Sequence, residues 1–303
     1  MTETPKKNLV ASVRQRLYNK AQETGRPFGE LLQYFAMERF LYRLSQSPYA
    51  EKFILKGALM LVVWKESLSR PTLDIDLLGR LSNDVDSNVA LVKEVCTLEV
   101  EPDGLVFDAR TVKGEKIVEE ADYEGVRVRF RGSLGSPRIS MQVDMGFGDE
   151  LSVPPVLLDY PTILDFPAPR LLGYHRETGI AEKLEAMVRL GSINSRMKDF
   201  FDIWLLSRHF DFEGNALSRA IKKTFDNRQT EIPAEPVGLT ATFAEDATKQ
   251  SQWRAFLRKS NLSAPDDLRQ IVREVAVFLG PLVKALAIGQ PFNSTWYPPG
   301  PWV

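Results

Sequence analysis

Cysteine and histidine are nearly missing from this chain, which has one cysteine and two histidines among its 303 residues. The single Cys96 excludes an intramolecular disulfide and any zinc site built from several cysteines. The two histidines, His175 and His209, argue against a histidine-rich metal centre. So little cysteine is also typical of proteins from a reducing compartment.

Long hydrophobic runs are missing as well. The apolar run at residues 59–64 is far too short to cross a bilayer, which takes about 20 apolar residues. The first ten residues are polar and lack the apolar core of a signal peptide. We therefore expect a cytoplasmic protein with no membrane partner.

Positive and negative charges nearly balance overall, but they are unevenly distributed. Hydrophobic residues make up 44% and charged residues 26%, which fits a globular chain of one large or two moderate domains. Residues 1–50 hold eight lysines and arginines against four glutamates, whereas residues 81–125 hold twelve acids against four bases. A polyanionic partner would approach the first region and avoid the second. The alternative is that both regions are solvated surfaces.

Hydrophobic periodicity predicts helices towards both ends of the chain and strands in the middle. We expect two helices within residues 8–45, a third, buried helix at 49–64, strands at 73–77, 125–132 and 138–145, and a proline-rich connector at 153–169. Further helices are expected at 177–190, 198–209 and 268–287. This order predicts an N-terminal helical region at 1–50, a strand-bearing core at 51–160 and a C-terminal helical region at 161–303.

The segment Leu73-Asp74-Ile75-Asp76-Leu77 alternates apolar and acidic residues, which is typical of a strand. The apolar residues would face the core, and both carboxylates would share the opposite face, about 6–7 Å apart along the chain. Two such acids repel each other unless water or cations neutralise them. Paired carboxylates are a natural site for one or two Mg²⁺ ions, which prefer oxygen ligands and share them with substrate phosphates. The alternative is a solvent-facing strand edge.

Two further features near this pair fit a metal and phosphate site. Asp144 lies between Val143 and Met145 on the polar face of a predicted strand, and an adjacent strand would bring it beside the first two acids. Gly57 lies inside a predicted apolar helix, where glycine costs about 1 kcal/mol relative to alanine. Such a glycine suggests that the backbone closely approaches another group, such as a phosphate, with tight helix packing as the alternative.

Charged residues also occur in two of the predicted C-terminal helices. Lys183 borders an apolar stripe, so its ammonium could meet a triphosphate at the edge of the core or extend to water. Asp199 and Asp202 are three residues apart and share one face of a nearly apolar helix. Acids in a first helical turn also stabilise the helix dipole, which is the alternative role for Asp199.

Three arginines, Arg127, Arg129 and Arg131, alternate with apolar residues on another predicted strand. Their spacing places all three guanidinium groups on one side of that strand. We expect a solvated face, with contact to an RNA backbone as the alternative.

Several strings of the sequence resemble, in order, the motifs of the AbiEii family of nucleotidyltransferase toxins. The first motif is matched by Phe53-Ile-Leu-Lys-Gly-Ala-Leu-Met60 and Arg70-Pro-Thr-Leu-Asp-Ile-Asp-Leu77. Residues 177–186 and 196–202 resemble the later lysine and Lys-Asp-x-x-Asp motifs, and residues 38–44 are similar to the amino-terminal helix. The resemblance runs from Leu9 to Phe210. Many members have glycine or serine where this chain has Ala58, which offers a backbone N–H but no hydroxyl.

The resemblance implies an α+β fold, with a mixed sheet of the nucleotidyltransferase (DNA polymerase β-like) type and helical N-terminal and C-terminal regions. It implies an enzyme that transfers a nucleoside monophosphate from an NTP to an acceptor, with pyrophosphate leaving. Mg²⁺ would be held by Asp74, Asp76 and Asp144. The nucleotide would be bound by Lys56, Gly57, Ala58 and Lys183, and the residues implied in catalysis are Asp74, Asp76, Lys183, Asp199 and Asp202. Asp199, or otherwise Asp202, would orient Lys183 or the acceptor hydroxyl.

For the acceptor, the resemblance implies RNA, especially the 3′ end of tRNA, and a toxin whose antitoxin is encoded nearby. The basic amino-terminal helices are the candidate RNA surface, through Arg14, Arg16, Lys20, Arg39 and Arg43. Two alternatives stay open: a non-catalytic protein that keeps this fold for binding, and a Mg²⁺-dependent nuclease that uses the same acids. A nuclease shortens RNA, whereas a transferase lengthens it.

Overall fold

The structure is a computed structural model that describes residues 4–65, 70–119 and 123–303. The chain divides into two compact units, one formed by Met1–Gly148 with Pro155–Tyr174 and the other by Asp149–Pro154 with His175–Val303. The described helices of the first unit are α1 (Thr4–Thr24), α2 (Phe28–Ser45), α3 (Ala58–Lys65) and α4 (Val85–Thr97). Its strands are β1 (Phe53–Lys56), β2 (Ile75–Gly79), β3 (Val106–Glu119), β4 (Tyr123–Ser133), β5 (Arg138–Phe147), β6 (Val156–Asp159) and β7 (Arg170–Gly173).

The second unit is mainly helical. Its elements are α5 (Arg176–Leu190), α6 (Met197–Ser207), β8 (Phe212–Glu213), α7 (Gly214–Asn227), α8 (Ala241–Glu245), α9 (Ala247–Ser260), α10 (Leu268–Ala287) and β9 (Thr295–Trp296). Helix α10 buries Ile271, Val275, Phe278 and Leu282, whose spacing of three to four residues forms one apolar stripe. In the part of the chain that the structure describes, no helix is both long and apolar enough to span a membrane.

The seven strands of the first unit form one mixed sheet in the order β3-β4-β5-β2-β1-β7-β6. Strands β1 and β7 are parallel, as are β2 and β5, and the other neighbouring pairs are antiparallel. The predicted strands at 73–77, 125–132 and 138–145 correspond to β2, β4 and β5. A mixed sheet with helices before and after it confirms the predicted fold class.

One face of this sheet is apolar because every second residue of its central strands is hydrophobic. In β5, Ile139, Met141 and Val143 are buried in the core. Helix α2 packs on that face, where the ring of Phe40 lies 5.1 Å from the ring of Phe130, measured between centroids. The opposite face is therefore left for the charged residues of the same strands.

The predicted buried helix at residues 49–64 is wrong over its first half. Residues Phe53–Lys56 form β1, which pairs with β2 on one side and β7 on the other, and only Ala58–Lys65 is helical. Phe53, Ile54 and Leu55 are all buried, and a strand that is buried on both faces lacks the alternation that separates strand from helix. Leu73, expected in the core, precedes β2 and is 71% exposed.

Candidate active site

Three carboxylates meet where β2 and β5 run side by side. Asp76 and Asp144 are direct partners in the parallel register of these strands, and Asp74 lies one residue before β2. One oxygen from each of the three carboxylates lies within 4.8 Å of the other two. The neighbouring strand predicted to carry Asp144 to this pair is thereby confirmed. The donors are all oxygen atoms, which is the set that Mg²⁺ prefers in proteins.

Gly57 connects β1 to α3 and lies directly against Asp76. Its φ of +70° is in the left-handed region that favours glycine. A Cβ atom at this position would lie 2.0 Å from Oδ2 of Asp76, closer than any side chain tolerates. Glycine is therefore required here by the backbone turn and by the carboxylate beside it. The close backbone approach predicted for Gly57 exists, and it is made to Asp76 from a turn rather than from within a helix.

Charged side chains form a row across four neighbouring strands. In the register of the sheet, Lys56 of β1 lies opposite Asp76, Asp76 opposite Asp144, and Asp144 opposite Arg127 of β4. Directly paired residues project from the same face of a sheet, so the two acids have a cation on either side. The ammonium of Lys56 lies 5.8 Å from the centroid of the Tyr174 ring. Thr72 donates a hydrogen bond to Oδ1 of Asp74.

Arg127 is not part of a solvated arginine face. Its Nε donates to Oδ1 of Asp144 at 2.8 Å and its Nη2 donates to Oδ2 at 2.7 Å. The hydrogen bonds that Arg127 donates to Asp144 raise the pKa of Arg127 above its ordinary value, so the guanidinium stays charged. The expectation of a solvated face holds for Arg129 and Arg131, which are exposed. For Arg127 it is wrong, because the strand register places an acid opposite it.

In the second unit, Lys183 is held by two buried carboxylates of α6. Its Nζ lies 3.0 Å from Oδ1 of Asp199 and 2.7 Å from Oδ2 of Asp202. Arg196 donates from Nε to Oδ2 of Asp199 at 2.6 Å. Burial raises the pKa of Asp199, but the positive charges of Lys183 and Arg196 outweigh it and hold that pKa well below its usual range. The structure thus brings together the three residues of the predicted lysine and aspartate motifs.

Arg39 and Arg43 are wrongly predicted as RNA contacts. Both are buried in α2, where Arg39 donates from Nε to Asp103 at 3.1 Å and Arg43 donates from Nη1 to the same carboxylate at 2.7 Å. A buried guanidinium needs a counter-charge, and Asp103 supplies it inside the protein. Neither arginine is therefore available to a phosphate. Arg14 on α1 is exposed, and Lys20 is partly exposed.

Two residues of these sites were not identified from the sequence. Gln142 donates from Nε2 to Oδ2 of Asp144 at 3.1 Å, and Arg196 holds the second oxygen of Asp199. The sequence feature that could have identified Gln142 is its position two residues before Asp144, which places both side chains on the same face of the strand. Arg196 lies three residues before Asp199, which is the spacing of neighbours on a helix surface.

Comparison with known proteins gives one family and two solved structures. The family model described as nucleotidyl transferase AbiEii toxin, of type IV toxin–antitoxin systems, matches residues 39–274. The crystal structure of a nucleotidyltransferase candidate from Helicobacter pylori is similar at 14% identity and a TM-score of 0.48, covering 86% of this chain and 96% of that one. The crystal structure of JHP933 from Helicobacter pylori is similar at 14% identity and a TM-score of 0.47, covering 86% and 94%. No curated protein matches the chain significantly.

Proposed function

Because the chain belongs to the AbiEii family of nucleotidyltransferase toxins, we propose that it transfers a nucleoside monophosphate from an NTP to an RNA acceptor, with Mg²⁺ as its metal. The convergence of Asp74, Asp76 and Asp144 is the observation that carries this proposal. Family membership implies an NTP substrate and an antitoxin partner. The 3′ end of tRNA is the acceptor we propose, and an antitoxin encoded nearby is the partner.

The residues present fit a divalent ion. Three carboxylates close together repel one another, and a cation with oxygen ligands relieves that repulsion. Asp74, Asp76 and Asp144 would hold it. When bound, the ion supplies positive charge that neutralises a triphosphate and stabilises the attacking and leaving oxygens. A side chain at position 57 would collide with the carboxylate of Asp76. The arrangement of the three acids therefore depends on glycine at this position.

Lys183 is proposed to contact the phosphates as a point charge. Its salt bridges with Asp199 and Asp202 limit the rotation of the ammonium, so the two carboxylates orient the lysine. This geometry favours that role for Asp199 over contact with the acceptor hydroxyl, because both of its oxygens already receive hydrogen bonds from cations. Asp202 acts in the same way through its contact with the lysine.

The turn between β1 and α3 is proposed to contribute to nucleotide binding. Ala58 is the first residue of α3, and backbone N–H groups at a helix start point outward without partners in the helix. A phosphate oxygen could accept from them, and the missing hydroxyl at position 58 would not matter for such a contact. Lys56, one residue before Gly57, would add a positive charge on the same side of the sheet as Asp76.

The experiment that tests the function incubates the protein with each labelled NTP in turn, total RNA and Mg²⁺, and follows RNA length and label. A transferase makes an RNA product that is labelled and longer by the added nucleotides. Shortened RNA would instead identify the nuclease, and unchanged RNA with measurable NTP binding would identify a binding protein. An Asp76→Asn variant is the control for contaminating activities. Sequencing the labelled RNA ends then shows whether tRNA is the acceptor.

A further inference from the structure

The carboxylate of Asp144 is held by more partners than a metal ligand needs. Oδ1 accepts one hydrogen bond from Arg127, and Oδ2 accepts one from Arg127 and one from Gln142. Each carboxylate oxygen has two lone pairs. Among the contacts of the described residues, Oδ2 is therefore saturated and Oδ1 retains one lone pair. Asp144 can offer a metal ion a single position, on Oδ1.

The same arginine changes the charge that an approaching cation meets. Three carboxylates attract a divalent ion strongly, but Lys56 and Arg127 lie at the two ends of the row and offset two of the three negative charges. Arg127 is the nearer influence on Asp144, since it forms a two-pronged contact with an acid that is 8% exposed. Arginine and carboxylate match geometrically in this arrangement, which a lysine cannot reproduce.

We propose that Arg127 is a positioning residue that weakens the capture of a free divalent ion and reserves the site for a metal–nucleoside triphosphate complex. This inference rests on the proposed function, since it takes the three acids as the metal site. With two of the three negative charges offset by Lys56 and Arg127, the protein supplies too little negative charge to hold the ion alone. The triphosphate supplies the rest, which is how Mg²⁺ is commonly bound, through one or two carboxylates and substrate phosphates. Arg127 and Gln142 also fix the orientation of the Asp144 carboxylate through three hydrogen bonds.

The test measures binding of Mn²⁺, an oxygen-preferring ion with a paramagnetic signal, to the complete protein with and without a non-hydrolysable NTP analogue. For the wild type we expect the analogue to tighten Mn²⁺ binding at least tenfold, which requires no variant. In Arg127→Gln we expect free Mn²⁺ to bind at least fivefold tighter than in the wild type, because a competing positive charge is gone. Arg127→Lys, which keeps the charge, should bind free Mn²⁺ within twofold of the wild type.

A matched control removes the same charge elsewhere on the strand. Arg131→Gln deletes an exposed guanidinium four residues away on the same face of β4, and its free Mn²⁺ affinity should stay within twofold of the wild type. Two outcomes would overturn the inference and leave the metal site of the proposed function intact. The first is that Arg127→Gln binds free Mn²⁺ no more tightly than the wild type. The second is that the wild type binds Mn²⁺ equally with and without the nucleotide analogue. A wild type that binds no Mn²⁺ under either condition would overturn both the inference and the metal site of the proposed function.

Discussion

Single residues of this protein are constrained by their neighbours more than by their own chemistry. Asp76 lies opposite Lys56 and Asp144 in the sheet, and its carboxylate lies against the backbone of Gly57. Lys183 is held by Asp199 and a second acid of α6. Substitutions at these positions therefore change either the arrangement of the carboxylates or the compensation of a buried charge, and the two effects can be measured separately.

The first residue-scale prediction concerns the acids. Asp74→Asn or Asp76→Asn should lower nucleotidyl transfer by about 100-fold or more, because a neutral amide is a poor ligand for a hard cation. Each variant should melt at or above the wild-type temperature, since one source of carboxylate repulsion is removed. Turnover and thermal unfolding are measured on the same preparation. Near-normal transfer in either variant would remove that residue from the metal site.

Gly57 offers a sharper test because the chain contains a matched glycine. Gly57 and Gly289 both have a φ of +70°, but no described atom lies within 4 Å of a Cβ placed at Gly289. Alanine at either position should cost about 1–2 kcal/mol of stability for the left-handed backbone. Gly57→Ala should also lower transfer by about tenfold or more, since its methyl group displaces Asp76. Equal activity in the two variants would show that the position of Asp76 does not matter.

Lys183 differs most from what its sequence suggests. A lysine that merely extends to water could be replaced by methionine at no cost in stability. Here Lys183→Met removes a cation that two buried carboxylates share, so we expect a loss of about 3–5 kcal/mol in the free energy of unfolding. Lys183→Met combined with Asp202→Asn should recover part of that stability without recovering transfer. Recovery of transfer in this double variant would contradict the proposed phosphate contact.

The lowered pKa of Asp199 also predicts a pH dependence. Its pKa in the folded protein lies below the ordinary value of 3.8, so the unfolded chain binds this proton more readily. The stability that Asp199 contributes is therefore present above about pH 4 and is lost as the pH falls further. In Lys183→Met one of the cations that lower this pKa is gone and the effect of burial is opposed less strongly, so the loss should begin at a higher pH. Urea unfolding between pH 3 and 7 measures both curves, and curves that fall in parallel would contradict this account.

At the scale of secondary structure, β4 carries two different kinds of arginine. Arg127 points to an acid on β5, whereas Arg129 and Arg131 are exposed. Replacing the exposed pair together by glutamine should leave the salt dependence of RNA binding unchanged, because a solvated strand face does not touch the RNA phosphates. If the two arginines did neutralise phosphates of a single-stranded RNA, each neutralised phosphate would contribute about 0.7 to the slope of log K against log salt concentration. A measurably flatter slope would place this strand at the RNA surface.

For the whole molecule, the positive surplus of residues 1–50 is smaller at the surface than in the sequence. Arg39 and Arg43 are buried against Asp103, which leaves α1 with exposed cations such as Arg14. Asp103, the acid that pairs with both of these arginines, belongs to the acid-rich region at residues 81–125. Net charge along the chain is therefore an incomplete guide to the surface that an RNA would meet.

The corresponding prediction compares two pairs of cations. Arg14→Gln with Lys20→Gln should weaken RNA binding and lower the salt slope by about 0.7 for each phosphate that these side chains neutralise. Arg110→Gln with Lys113→Gln, which removes two exposed charges from the acid-rich region, should change neither. Filter binding at several salt concentrations measures both. If the two double variants behave alike, α1 is not part of the RNA surface.

The sequence alone determined which faces of the elements are polar. Alternation placed Asp76 and Asp144 on the polar faces of β2 and β5, and helical spacing placed Asp199 and Asp202 on one side of α6, because side-chain direction depends only on local backbone geometry. The order of helices, strands and helices follows from the same patterns, whereas the mixed sheet was implied by the resemblance to the AbiEii family. Local patterns therefore made these acids candidates, and their roles in a site were implied by the resemblance to the family.

Only the tertiary structure decided which charges meet. Residues Phe53–Lys56 form a central strand because β2 and β7 pair with both of their edges, and no local pattern reveals two partners. Asp103 pairs with both Arg39 and Arg43 although it lies 64 and 60 residues away from them in the sequence. Arg127 meets Asp144 because of the register between β4 and β5. Register and burial are set by long-range pairing, so the identity of a charge follows from the sequence, whereas its partner follows from the fold.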